Sequence, residues 1–194
     1  MIRSRHEYLA YLEADRLSLA CKKSVANYTF HDRWRFQRCM RRLEYQQNCK
    51  KGRLAKLVEV LLTLRFRQIS TTLGFSIAPN TFGPGLAIMH RGTIVVNSHA
   101  RIGANCRILE GVNIGATGGS NASPQIGNNV FIASGAKLFG DIRIADGVSI
   151  GANAVVVKSF DEPNITVGGV PAKKISENGA ANAGWAPRNT YLGE

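Results

Sequence analysis

The chain has 194 residues, a formal net charge of +12 and four cysteines, Cys21, Cys39, Cys49 and Cys106, with no CxxC pair. That length predicts one domain, or one domain with a smaller partner segment. The cysteine pattern argues against a disulfide framework and predicts reduced thiols in a cytoplasmic protein. No apolar run reaches the roughly 18 residues of a membrane-spanning helix, and the opening Met1-Ile2-Arg3-Ser4-Arg5-His6-Glu7 predicts no signal peptide.

Residues 1–73 read as a basic α-helical segment. Residues 1–70 hold 16 Lys/Arg against 6 Asp/Glu, and residues 71–194 hold 9 against 7, so the charge is concentrated at the N-terminal end. Helices are expected around Glu7–Lys23, with Leu9, Leu12 and Leu19 as a weak stripe, and around Asp32–Gln47. A further helix is expected after Gly52, where Leu54, Leu57, Val58, Leu61 and Leu62 follow the spacing of an amphipathic face. The run Arg33-Trp34-Arg35-Phe36-Gln37-Arg38 followed by Arg41-Arg42 interleaves bases with aromatics. It fits a weak membrane-surface or polyanion contact. It fits better a solvated helix face whose Trp and Phe pack on a neighbour. No nucleic-acid module surrounds the bases, so no nucleic-acid partner is expected.

From Gly74 to Gly92 the chain is punctuated by Pro79, Gly83-Pro84-Gly85 and Gly92. Ile77, Ile88 and Ile94 already approximate a six-residue period, and two extra residues shift the phase between Ile94 and Ile102. Ile102, Ile108, Ile114, Ile126, Ile132, Leu138, Ile144, Ile150 and Val156 then hold one phase, broken only at Ser120. A smaller or branched residue follows most of them four places on, as at Cys106, Val112, Val130 and Ala136. Six residues fit neither an amphipathic helix nor a simple alternating strand. They fit short flat strands joined by tight turns, where Gly and Asn supply the backbone angles. The predicted fold is mainly β, a left-handed parallel β-helix over residues 74–175, preceded by the helical segment and followed by a loose tail, 176–194. Gly118 to Gln125 interrupts the repeat as a loop, the kind of place where a rigid solenoid carries function.

The stretch from Gly85 through His90 to Val96, the stretch from Cys106 to Gly115, the Gly118–Gln125 loop and Gly169-Val170-Pro171-Ala172-Lys173 together resemble the serine O-acetyltransferases, a family of hexapeptide acyltransferases. The resemblance spans about residues 74–175. It implies an acetyl-CoA-dependent O-acetyltransferase with L-serine as acceptor. A sugar hydroxyl acceptor and a non-catalytic, anion-binding scaffold are the alternatives. His90 corresponds to the family's general base, and an imidazole titrating near neutral pH suits proton removal from an attacking hydroxyl. By resemblance Ser134 and Ala152 contact the pantetheine arm, Lys158 and Lys173 lie near the nucleotide phosphates, and Gly118 and Gly119 let the loop approach the thioester. The resemblance also implies a homotrimer with shared sites. The four histidines show no metal-ligand spacing, so no metal is expected.

The family's acceptor-binding positions differ here. Ser76 stands for an aspartate that pairs with the histidine, Met89 for an acidic residue, and Ala122 and Ser123 for an Arg-His pair. A carboxylate is expected from elsewhere. A coil of 18 residues plus the two-residue slip carries His90 onto Glu110, one strand spacing away at about 4.8 Å, where it could orient the imidazole.

Overall fold

The structure, a computed structural model, is described for residues 1–119 and 121–182. Ser120 and much of the predicted tail lie outside the described residues. Four helices come first: α1 (Arg5–Ser18), α2 (Val25–Phe30), α3 (Asp32–Cys49) and α4 (Arg53–Leu73). Ser4 caps α1 by accepting the Glu7 N–H, and Gly74 ends α4 in the left-handed conformation (φ 79°). No helix among the described residues is long and apolar enough to cross a membrane.

The coil follows as three parallel sheets. The first contains β1 (Phe75–Ile77), β3 (Ile94–Val96), β6 (Asn113–Gly115), β9 (Lys137–Phe139) and β12 (Val155–Val156). The second contains β4 (Arg101–Ile102), β7 (Gln125–Ile126) and β10 (Arg143–Ile144), extended by bridges at Phe82 and Phe160. The third contains β2 (Ala87–Ile88), β5 (Arg107–Ile108), β8 (Phe131–Ile132), β11 (Ser149–Ile150) and β13 (Thr166–Gly168), with β14 (Lys173–Ser176) closing it antiparallel. The chain visits the sheets in fixed rotation, which makes the left-handed β-helix. Every in-phase aliphatic residue from Ile102 to Val156 is buried inside it. The Gly118–Gln125 interruption adds six residues to one coil: Ile114 pairs with Leu138, whereas Leu138 pairs with Val156. Six is one repeat, so the phase survives.

The two-residue slip lies elsewhere than the sequence suggested. Val96 pairs with Ile114, and Val96 and Ile102 stand six apart, so Val96 is in phase. Ile94 pairs with the column of smaller inward residues instead. The extra pair therefore sits between Ile88 and Val96, in the turn that carries His90.

The helices bind the first coil through a buried charge cluster. Arg41 and Asp15 are fully buried and Glu44 nearly so. All five guanidinium N–H groups of Arg41 donate: to both Asp15 oxygens, to Glu44, and to the carbonyls of Phe82 and Gly83. Asp15 also accepts from Gly85 and Leu86 N–H, and Glu44 from Asn80 N–H. Trp34 and Phe36 of the basic-aromatic run are buried: Trp34 packs with Leu19, Cys21 and Ala87, and Phe36 with Phe66 and Phe75.

The stripe expected to face inward on α4 is mostly exposed. Leu54 and Leu61 are 81% and 59% accessible, whereas Leu62, Phe66, Ser70 and Leu73 are buried. The buried face of α4 is rotated from the leucine stripe and lies in the C-terminal half of that helix. Helix α1 stops at Ser18, short of the expected Lys23, and α2 was not foreseen.

Candidate active site

The corner between the third and first sheets is built as one column. Register from β2 to β5 pairs Ile88 with Ile108, so the chain two residues on brings His90 to the same corner as Glu110. The same count through β8 and β11 brings Ser134 and Ala152 onto the column. Backbone bonds lock the turns: Gly135 N–H donates to Glu110 O, and Asn153 N–H to Ser134 O, both at 2.9 Å. At about 4.8 Å per coil, His90 to Ala152 covers about 14 Å of edge.

The two extra residues give the His90 turn its shape. Gly92, not His90, crosses over Glu110. Its φ is +129°, and a Cβ there would stand 3.1 Å from the Glu110 Cβ. His90 is thereby pushed outward and is exposed. Helix α3 grips both sides of it: Arg33 donates to the Met89 carbonyl, and Arg91 pairs with Asp32. His31 caps that helix, its Nδ1 accepting the Trp34 N–H at 3.2 Å. None of these holding residues carries a sequence signal tied to His90.

Glu110 is half-buried. Its carboxyl is held below the usual carboxylate range, first by the hydrogen bond from Ser134, then by its own backbone N–H and the nearby charge of His90. One oxygen, Oε2, is buried without a hydrogen-bond partner among the described residues.

Gly118 and Gly119 stand on the loop between β6 and β7, and a Cβ at either would meet nothing within 4 Å. The loop therefore stands clear of its own chain at these two glycines. Lys158 leaves β12 on the same edge and lies over the Phe160 ring, 5.4 Å from its centre. Lys173 opens β14, paired with Gly168, beyond the far end of the His90 column. A coil face of about six residues, or about 20 Å, separates the edge with the loop and Lys158 from the edge with His90. Within one chain they do not meet.

Neutral residues stand at the positions compared with the family's acceptor-binding groups. Met89 packs against the apolar cluster of Trp34 and Leu19. Ser123 is buried, with its hydroxyl donating to Asn121 O. Ser76 faces outward on β1. Among the described residues no group of three or more His, Cys, Asp or Glu could hold a metal.

Residues 123–158 match the family model described as bacterial transferase hexapeptide (six repeats). A serine acetyltransferase of Staphylococcus xylosus is 40% identical over 109 residues, 55% of this chain and 50% of that one. The chain thus spans about half the length of the curated relatives it matches. The crystal structure of a serine acetyltransferase from Brucella abortus strain S19 superposes with a TM-score of 0.72 at 26% identity, covering 91% of this chain and 72% of that one. One from Neisseria gonorrhoeae in complex with serine gives 0.71 at 26%, covering 89% and 71%. Another serine acetyltransferase, in complex with CoA, gives 0.68 at 25%, covering 88% and 68%. These likenesses extend through the helices as well as the repeat, and the chain is similar in fold and sequence to serine acetyltransferases built on the hexapeptide repeat.

Proposed function

We propose that the chain transfers acetyl from acetyl-CoA to the hydroxyl of L-serine, with His90 as general base and Glu110 as the residue that orients it. The observation that carries this reading is the column itself: an exposed imidazole near a carboxylate, continued by the small residues Ser134 and Ala152. The acceptor oxygen attacks the thioester carbonyl as His90 takes its proton. The intermediate then expels the thiolate, which takes that proton back, leaving an O-acetyl ester and CoA. The pantetheine arm runs along the column, passing Ser134 and Ala152. Lys158 and Lys173 meet the phosphates as charge-assisted donors.

The glycine loop and Lys158 lie a coil face away from His90, so one chain supplies them to a site completed by its neighbour. A homotrimer satisfies this with three equivalent sites.

A sugar hydroxyl is the second reading. Met89 is committed to an apolar cluster and Ser123 is buried, so neither offers a charge to an amino acid's ammonium or carboxylate. Thiol release from acetyl-CoA, measured with L-serine and with a panel of sugars, separates the two. Turnover with serine supports the first reading and turnover with sugars alone supports the second. Thiol release with neither would count against both.

A further inference from the structure

Away from the coil, the helices form an open cavity of about 520 Å3. Arg35, Arg38, Arg42 and Arg65 line it, with no carboxylate in its wall among the described residues. Asp32 stands 3.6 Å from Arg35 and is already engaged by Arg91. Arg38 lies flat on the Tyr28 ring, 3.4 Å from its centre, and donates to the Tyr28 carbonyl. Its Nε is buried with no hydrogen-bond partner among the described residues. Burial, then the charges of Arg35 and Arg65, weaken the hold of this guanidinium on its proton, against the opposing influence of Tyr28.

Four guanidinium groups facing one space repel each other, and an unpartnered buried N–H is costly. An anion among them relieves the repulsion. Arginine is the side chain best shaped to hold phosphate through paired hydrogen bonds. The rim is aromatic: Tyr28 and Phe30 are 63% and 78% exposed. Both belong to α2, which buries none of its own residues. Such a short helix gains little from packing, but it presents two rings to a planar ligand. The cavity volume falls within the roughly 300–1,000 Å3 range of small-molecule sites.

We infer that this cavity between α2, α3 and α4 binds a phosphorylated small molecule bearing a planar ring, of the nucleotide class. Its phosphates meet Arg35, Arg42 and Arg65, and its ring lies against Tyr28 and Phe30. The site shares no residue with the coil edges proposed for acetyl-CoA, so it is independent of that reading.

The test is titration calorimetry of the full chain with ATP as the probe. One ATP per chain is expected, still bound when CoA is saturating and in Lys158→Gln and Lys173→Gln. Arg65→Gln, an exposed change that spares folding, and Arg38→Met should each weaken binding at least tenfold, and adenosine or tripolyphosphate should bind at least tenfold less tightly than ATP. Absence of ATP binding overturns the inference. So does displacement by CoA, loss in the lysine variants, or indifference to both arginine changes. Tripolyphosphate binding as tightly as ATP overturns the ring's part in it. Tight binding to phosphatidylglycerol vesicles that ATP does not compete would replace it with a lipid surface.

Discussion

Replacing Asp15 by Ala should be among the most damaging single changes outside the coil. Its carboxylate accepts four hydrogen bonds: two from Arg41, at 2.9 and 3.3 Å, and those of Gly85 and Leu86, at 2.8 and 2.9 Å. All are buried, so water cannot replace them. Removing one partner of a buried ion pair costs about 3–5 kcal/mol. For a chain of this size each kcal/mol lowers the melting temperature by about 2–4 °C, so Asp15→Ala should melt about 6–20 °C lower. The matched control is Glu13→Ala. Glu13 also pairs with an arginine, Arg16, at 2.6 Å, but its side chain is 46% exposed. Exposed pairs contribute about 1 kcal/mol or less, so that variant should stay within about 4 °C of the parent. Thermal unfolding followed by circular dichroism, checked by guanidinium denaturation, measures both. Equal melting temperatures for the two variants would refute the reasoning, because burial is what separates them.

Gly92→Ala places a Cβ 3.1 Å from that of Glu110 at φ +129°. Backbone strain of about 1–3 kcal/mol is expected, seen as a lower melting temperature together with reduced thiol release. Gly135→Ala should destabilise the coil, because its Cβ would lie 2.0 Å from Asn153 Oδ1, whereas Gly118→Ala meets nothing and should leave the melting temperature unchanged. His31 caps α3 as a neutral ring, and burial followed by the Arg33 charge lowers its pKa below 6.5. The folded state then binds fewer protons than the unfolded one, so this contribution is complete above pH 6.5 and is lost as pH falls through the folded value. Melting temperatures at pH 7.5 and 5.5 should differ less in His31→Asn, which keeps a capping side chain without the titration; an unchanged difference would rule the cap out as the cause. Glu110→Gln should slow turnover and move the acid limb of the pH–rate profile, and a profile that does not move would remove Glu110 from the mechanism.

The coil was legible because its physics is periodic. Nine aliphatic residues on one phase have no other arrangement that buries them all, and the six-residue loop leaves that phase intact. The location of the slip was not legible. Ile94 is aliphatic and sits six residues after Ile88, yet it occupies the neighbouring inward column, and only the pairing of Val96 with Ile114 separates the two. The Arg41 cluster was hidden because a buried arginine reads like a surface one until Asp15 and the first-coil carbonyls are placed around it. The α4 stripe misled because periodicity fixes which leucines share a face, not whether another element covers them.

The most direct test of the account is release of CoA thiol from acetyl-CoA in the presence of L-serine, comparing the parent chain with His90→Ala at matched folding. Loss of general-base catalysis predicts a fall of about 10²–10⁴-fold in turnover, with CoA binding retained because the column below His90 is intact. Undiminished turnover in His90→Ala would contradict the assignment of this corner as the catalytic one.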